Sequence, residues 1–192
     1  MSYTKELDYV PFFRQEPGDY CGPANAQMAR DGYPDSSNRV KYCQEALFNI
    51  IKAHNSTAAR DAGKWNTDPQ GLRECLQSLS SAPVDWEECS STDPDEVMQF
   101  ILKSIHNTGF PIPAVVQQGD HWVLIVGWET DVEPSGANKP KLLHIHILDP
   151  QHKSPAHSYI TAKTWRSANH FRAIDVAGTW AGKYVAVGPG PL

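Results

Sequence analysis

The hydrophobic pattern changes period at Ile112, and no other feature narrows the fold as much. Before that point apolar residues recur at helical spacing. After it they gather in short β-type runs, so helices and sheet must segregate along the chain. Asp68-Pro69 reads as an N-cap with proline at the first helical position, and Leu72, Cys75, Leu76 and Leu79 follow at helical spacing. Asp93-Pro94-Asp95-Glu96 repeats the signal, with acids at the positive end of the dipole; Val97, Ile101, Leu102 and Ile105 supply a buried stripe up to Gly109. Tyr42 to His54 forms a further helix with Cys43, Leu47, Ile50 and Ile51 on its core face, so Cys43 and Cys75 both read as core residues. Strands are expected at Ile112 to Val116, Trp122 to Trp128, Leu142 to Leu148 and Tyr184 to Val187. Thr130 to Pro140 is rich in turn residues and reads as a long hairpin tip, and the tail from Gly188 to Leu192 as irregular. Together these elements make one α+β domain over residues 1–192.

Charge and hydropathy exclude some functions. A net charge of -5 offers no basic stripe to neutralise phosphates, which excludes nucleic acid as a partner. No apolar run approaches the ~18 to 20 residues that span a bilayer, so no membrane partner is expected either. The polar start Met1-Ser2-Tyr3-Thr4-Lys5-Glu6 lacks the apolar core of a signal peptide, which gives a cytoplasmic expectation.

The four cysteines, Cys21, Cys43, Cys75 and Cys89, show neither the density of a disulfide scaffold nor a Cys-x-x-Cys pair for zinc. Cys21 differs from the other three. The segment from Pro17 to Ala29 reads as a tight turn feeding straight into a helix that starts at Cys21. Pro23 fits there because first-turn amides have no helical partner, and Gly22 allows another group to approach closely. Free N–H groups and the helix dipole favour an anionic sulfur at that end. The plainer reading makes Cys21 a small buried residue at the start of a core helix. Six residues upstream, Gln15 carries a neutral amide that could share an oxyanion with the Cys21 backbone N–H.

Gly119-Asp120-His121-Trp122 sets a histidine at the mouth of an apolar strand, and Leu148-Asp149-Pro150 closes the likeliest return strand with an acid. In a hairpin symmetric about Ser135, Trp128 faces Leu142 and His121 faces Asp149, roughly 4.5 to 5.5 Å apart at Cβ. Then His121, Val123 and Ile125 share a side with Ile145, Ile147 and Asp149, and a carboxylate on that apolar side needs the histidine. A bulge would shift the pairing by one residue. The plainer reading is a satisfied polar pair at a sheet edge. His144 and His146 alternate on one strand face and offer a metal-pair reading that lacks an obvious third ligand; His106, His152, His157 and His170 read as solvated or capping residues. Trp65, Trp86, Trp122 and Trp128 could line a cleft but are read as core residues, as aromatic side chains more often are, and none is assigned to substrate binding.

These residues resemble the papain-like cysteine peptidases, in particular the bacteriocin-processing peptidase C39-like branch. The likeness rests on Gln15 before Cys21-Gly22-Pro23, the Thr67-Asp68-Pro69-Gln70-Gly71-Leu72 helix start, Gly119-Asp120-His121-Trp122, Val126-Gly127-Trp128 and Asp149-Pro150. It implies a helical half carrying the nucleophile, packed on an antiparallel barrel-like sheet. It also implies a cysteine peptidase with Cys21 as nucleophile, His121 as base, Asp149 as its orienting acid and Gln15 in the oxyanion hole, without cofactor or metal. The partner is then a protein or peptide substrate. With only about twenty residues before Cys21 and no transporter domain after the sheet, restraint would come from a narrow substrate, an inhibitory partner protein, or delivery to another compartment as an effector. Papain-like sites also run deamidation, transglutamination and other acyl transfers. A binding module that retains the fold without catalysis is the reading from another class.

Overall fold

The computed structural model describes residues 2–16, 18–32, 41–57, 65–80, 84–153, 158–167 and 170–190. Its elements run β1 (Tyr3–Glu6), α1 (Cys21–Asp31), α2 (Gln44–His54), α3 (Pro69–Leu79), β2 (Trp86–Ser91), α4 (Pro94–Thr108), β3 (Ile112–Val116), a 3-10 turn (Gln117–Gly119), β4 (His121–Thr130), β5 (Leu142–Leu148), β6 (Ser158–Thr161), α5 (Ala162–Trp165) and β7 (Tyr184–Pro189). The α+β segregation read from the sequence is the observed one. Helices come first in the chain, and an antiparallel sheet dominates the second half. No helix among the described residues is long and apolar enough to cross a membrane.

Two aspartates start helices as expected. Asp68 accepts a hydrogen bond from the Gly71 N–H ahead of Pro69, and Asp93 accepts from the Asp95 N–H ahead of Pro94. At the far end of α4, Gly109 takes the left-handed conformation that ends a helix, with φ of 70°. The helix expected from Tyr42 begins two residues later, at Gln44, because Cys43 has extended backbone and serves as N-cap. That placement leaves Cys43 exposed, which corrects its reading as a core residue, whereas Cys75 is buried as expected.

The sheet order is β2-β7-β3-β4-β5-β6, with β1 added to the second half of β4. Among the described residues no pairing joins the β2 and β6 edges. β3 is buried at all five positions, and β4 at all but one of ten. Strands buried at nearly every position must be covered on both faces. The helices α1 and α4, both packed against β3 and β4, supply that cover. Strands β1, β2 and β6 carry no strong alternation of apolar residues and were not expected from the sequence. β2 also explains why Gly188 and Pro189 are strand residues and not tail: they pair with Glu87 and Trp86. Pro191 and Leu192 lie outside the described residues.

The β4–β5 hairpin differs in register from the symmetric expectation. Leu124 pairs with Leu148 and Ile125 with Ile147; a shift before Gly127 and another before Thr130 follow, so Trp128 faces Ile145 and Thr130 faces Leu142. The loop closes on Asp131 and Lys141, joined by hydrogen bonds of 3.2 and 2.7 Å. It therefore turns about Gly136, whose φ is 53°, and not about Ser135. Continuing the ladder by one residue sets Asp149 opposite Val123, so His121 stands diagonal to it. The displacement is an even number of residues, which keeps both side chains on one face.

Candidate active site

Helix α1 is buried almost all round, and Cys21 is its first residue. Unlike α3 and α4 it has no capping side chain, and unlike α4 it has no acid in its first turn. Its free first-turn N–H groups therefore remain available to an anion at the sulfur end. The close approach that Gly22 permits is to Thr67. A Cβ on Gly22 would lie 2.3 Å from both Thr67 Cγ2 and Oγ1.

His121 opens β4 directly after a turn in which Gln117, Gln118 and Gly119 all have positive φ, at 52°, 59° and 115°. Two non-glycine residues in that region store backbone strain. Hydrogen bonds from Gln117 N–H to His170 O (2.9 Å) and from Asp175 N–H to Gln118 O (2.7 Å) hold the turn in place. The His121 ring is 1% exposed, and its Nε2–H donates to Asp149 Oδ1 at 2.8 Å. Nδ1, also buried, makes no hydrogen bond of ordinary geometry, and it is the ring nitrogen left for the Cys21 side chain, which is near enough to act on the imidazole. Burial opposes charge on the ring. The hydrogen bond to Asp149, the polar contact with Cys21 and the charges of both outweigh it, so the imidazole is raised to about 9.

Asp149 lies just past the last paired residue of β5. Its Oδ1 also accepts from the Gln151 N–H at 2.9 Å, and Oδ2 stands 3.6 Å from His152 Nε2. Burial pushes its carboxyl up, but the His121 hydrogen bond and charge, the Gln151 N–H and His152 more than reverse this, leaving it below its ordinary value. His152 is exposed as expected but is a neighbour of the acid as well as a solvated residue.

Gln15 lies on the same cavity wall. Its backbone N–H donates to Pro150 O at 2.9 Å, which ties it to the turn carrying Asp149. Gln44, the first residue of α2, grips both flanks, accepting from Glu16 N–H at 2.9 Å and donating to Arg14 O at 2.8 Å. The Gln15 Nε2 donates to Gly18 O at 3.1 Å, which leaves its second N–H free for another acceptor. All of Gln15, Cys21 and His121 line one cavity of about 220 Å³, next to Asp149. A larger cavity of about 960 Å³, between α4 and residues 137–142, holds none of the four.

The sequence reading missed the rest of the wall. Trp65, Thr67 and Trp122 line the same cavity, so for two of the four tryptophans the cleft alternative to a core reading is the observed one. The Trp122 indole N–H donates to Thr67 O at 3.0 Å, and Asn55 Oδ1 accepts from the Asp68 N–H at 3.2 Å, fixing this stretch in place. No local pattern announces those partners, because each is tens of residues away or sits in a loop. The histidine pair on β5 is not arranged as an open metal pair: His144 Nδ1 lies 2.9 Å from Glu129 Oε2, and His146 is buried with Nδ1 3.8 Å from Glu6 Oε1. Among the described residues no group of three or more His, Cys, Asp or Glu side chains could hold a metal ion. His157 lies outside the described residues.

Helices that precede an antiparallel sheet and pack on it make a fold similar to that of papain-like cysteine peptidase domains. Among solved structures, the peptidase domain of Streptococcus ComA, a bi-functional ABC transporter involved in a quorum-sensing pathway, matches with a TM-score of 0.50 over 94% of this chain and 97% of that one. Identity is 14%, so the likeness is one of fold. No family model matches the chain, and no curated protein matches it by sequence. The resemblance read from short motifs thus extends to the whole architecture.

Proposed function

We propose that this chain is a cysteine peptidase that cuts protein or peptide substrates through an acyl-enzyme, acting as one domain over residues 1–192. The observation that carries this reading is the His121 ring. Asp149 holds one nitrogen at 2.8 Å, the other is left to Cys21, and the two side chains line one cavity. A ring braced by a carboxylate beside a thiol can take the thiol proton and leave the thiolate, the form that attacks carbonyls.

In the first step the Cys21 thiolate adds to the scissile carbonyl, and the carbonyl π pair moves onto oxygen. The Cys21 backbone N–H and the free N–H of Gln15 Nε2 receive that oxyanion. The carbonyl then re-forms as the C–N bond breaks, and the imidazolium gives its Nδ1 proton to the leaving amine, leaving a thioester. Nδ1 next removes a proton from water, whose oxygen attacks the thioester and returns the thiolate with the carboxylic product. Asp149 keeps the Nε2–H oriented throughout.

The test is turnover of peptide substrates by the purified full-length chain, read by mass spectrometry. Cys21→Ala is expected to abolish cutting while retaining the circular dichroism spectrum, and Asp149→Asn to leave measurable activity with kcat lowered about 10² to 10⁴-fold. Gln15→Ala should cost about 10² to 10³ in kcat. A Cys21→Ala protein as active as the parent would overturn the proposal. A mass change at glutamine, or a crosslink, in place of a cut would move the chemistry to deamidation or acyl transfer at the same residues.

A further inference from the structure

The buried amide of Asn25 has a location that packing alone does not account for. Asn25 is 0% exposed and lies on α1 between Ala24 and Ala26, one turn beyond Cys21. Its Nδ2 donates two hydrogen bonds, to the carbonyl of Cys21 at 2.8 Å and to the carbonyl of Trp122 at 3.0 Å. Its Oδ1 is buried without a partner. Burying an amide with one end unsatisfied disfavours the folded state, and an apolar side chain of similar shape would avoid that defect.

The two accepting carbonyls explain what the amide does. One belongs to the residue that carries the sulfur, and the other to the residue directly after the one that carries the imidazole. β4 and β5 pair only from Leu124 onward, so the Trp122 carbonyl lies below the start of that ladder. The indole of the same Trp122 donates to Thr67 O at 3.0 Å, and the Thr67 side chain rests on Gly22. Cys21, the opening of β4 and the cavity wall are thereby joined in one closed circuit of short polar and steric contacts.

We infer that Asn25 is a positioning residue: its amide fixes the tip of α1 against the start of β4 and so sets the approach of the Cys21 sulfur to the His121 ring. This rests on the thiol–imidazole reading above and adds to it a residue that touches neither substrate nor reacting atoms. A hydroxyl in its place would reach back to the Cys21 carbonyl within the helix but not across to Trp122. Asn25→Ser therefore removes the crossing bond alone, and Asn25→Leu removes both bonds while keeping the branched shape at a somewhat larger volume.

The experiment measures the rate of Cys21 alkylation by iodoacetamide from pH 4 to pH 10, in the full-length chain with Cys43→Ser, alongside the NMR titration of the His121 ring. The parent profile tests the thiol–imidazole reading: an ordinary thiol profile in the parent would remove that reading and this inference together. With an activated parent, both variants are expected to keep the far-UV circular dichroism spectrum. They should also lower the alkylation rate at pH 6 by about tenfold, the factor for a one-unit loss of proton coupling, and move the ring titration down. Should the leucine variant fail to fold, the serine variant still decides the question. Variants that fold and match the parent in both titrations would reduce Asn25 to a structural residue and overturn the inference.

Discussion

At the scale of single residues, burial sets two of the cysteines apart from the other two. Burial pushes the Cys75 thiol up to about 12 and, with the nearby glutamates, the Cys89 thiol up to about 11, so both stay protonated and unreactive at neutral pH. Cys43 is exposed and would compete for reagent, which is why a labelling experiment needs Cys43→Ser. His121 and Asp149 link pH to stability in opposite senses. The ring binds its proton more tightly in the folded chain, so its contribution is complete below pH 6.5 and is lost as pH rises through about 9. The carboxyl is held below 3.8, so its contribution is complete above that value and is lost as pH falls through its lowered one. Urea unfolding is accordingly expected to show a plateau between about pH 4 and pH 6.5 that His121→Gln flattens at its alkaline edge. An alkaline edge unchanged by that substitution would mean that the ring is not the titrating group.

The elements decide how these residues are held. Asp68 is fully buried and serves two donors, the Gly71 N–H at 2.6 Å and the Ser56 N–H at 2.7 Å, which joins the start of α3 to the end of α2. Asp68→Ala should lower stability by about 2 kcal/mol, the sum of a lost cap and a buried donor left unpaired, as read from the urea midpoint. Gly22 gives a cleaner contest between two effects. Alanine is favoured over glycine inside a helix by roughly 0.5 to 1 kcal/mol, whereas a methyl 2.3 Å from Thr67 forces the wall to move at about 1 to 3 kcal/mol. The clash wins, and Gly22→Ala is expected to be destabilised and to react more slowly with iodoacetamide at Cys21. A stabilised Gly22→Ala would show that the wall yields freely. Helix starts such as Asp68-Pro69 and Asp93-Pro94 were readable in the sequence because capping is a local matter of a few residues. The register shifts of the β4–β5 ladder and strands β2 and β6 were not, since short, mixed-polarity segments become strands only when a neighbour pairs with them.

Over the whole molecule, the site gathers residues from four separate places: Gln15 before α1, Cys21 at its tip, His121 at the start of β4 and Asp149 past the end of β5. Such a site exists only while the helical half is docked on the sheet. Loss of Cys21 reactivity at pH 6 and loss of far-UV circular dichroism are therefore expected at the same urea concentration, as for one cooperative unit. Reactivity lost well before the secondary structure would mean that the two halves separate first.

The sequence by itself determined the segregation of helices from sheet, the starts of α3 and α4, and the four chemically distinctive residues Gln15, Cys21, His121 and Asp149. Periodicity, capping and side-chain chemistry are properties of the residues and their near neighbours. The tertiary structure alone decided the register that sets His121 diagonal to Asp149, the exposure of Cys43, and the contacts of Asn25, Thr67 and Gln44. Those depend on which distant groups meet, and hydrogen-bond partners and burial are fixed only once the helices close over β3 and β4.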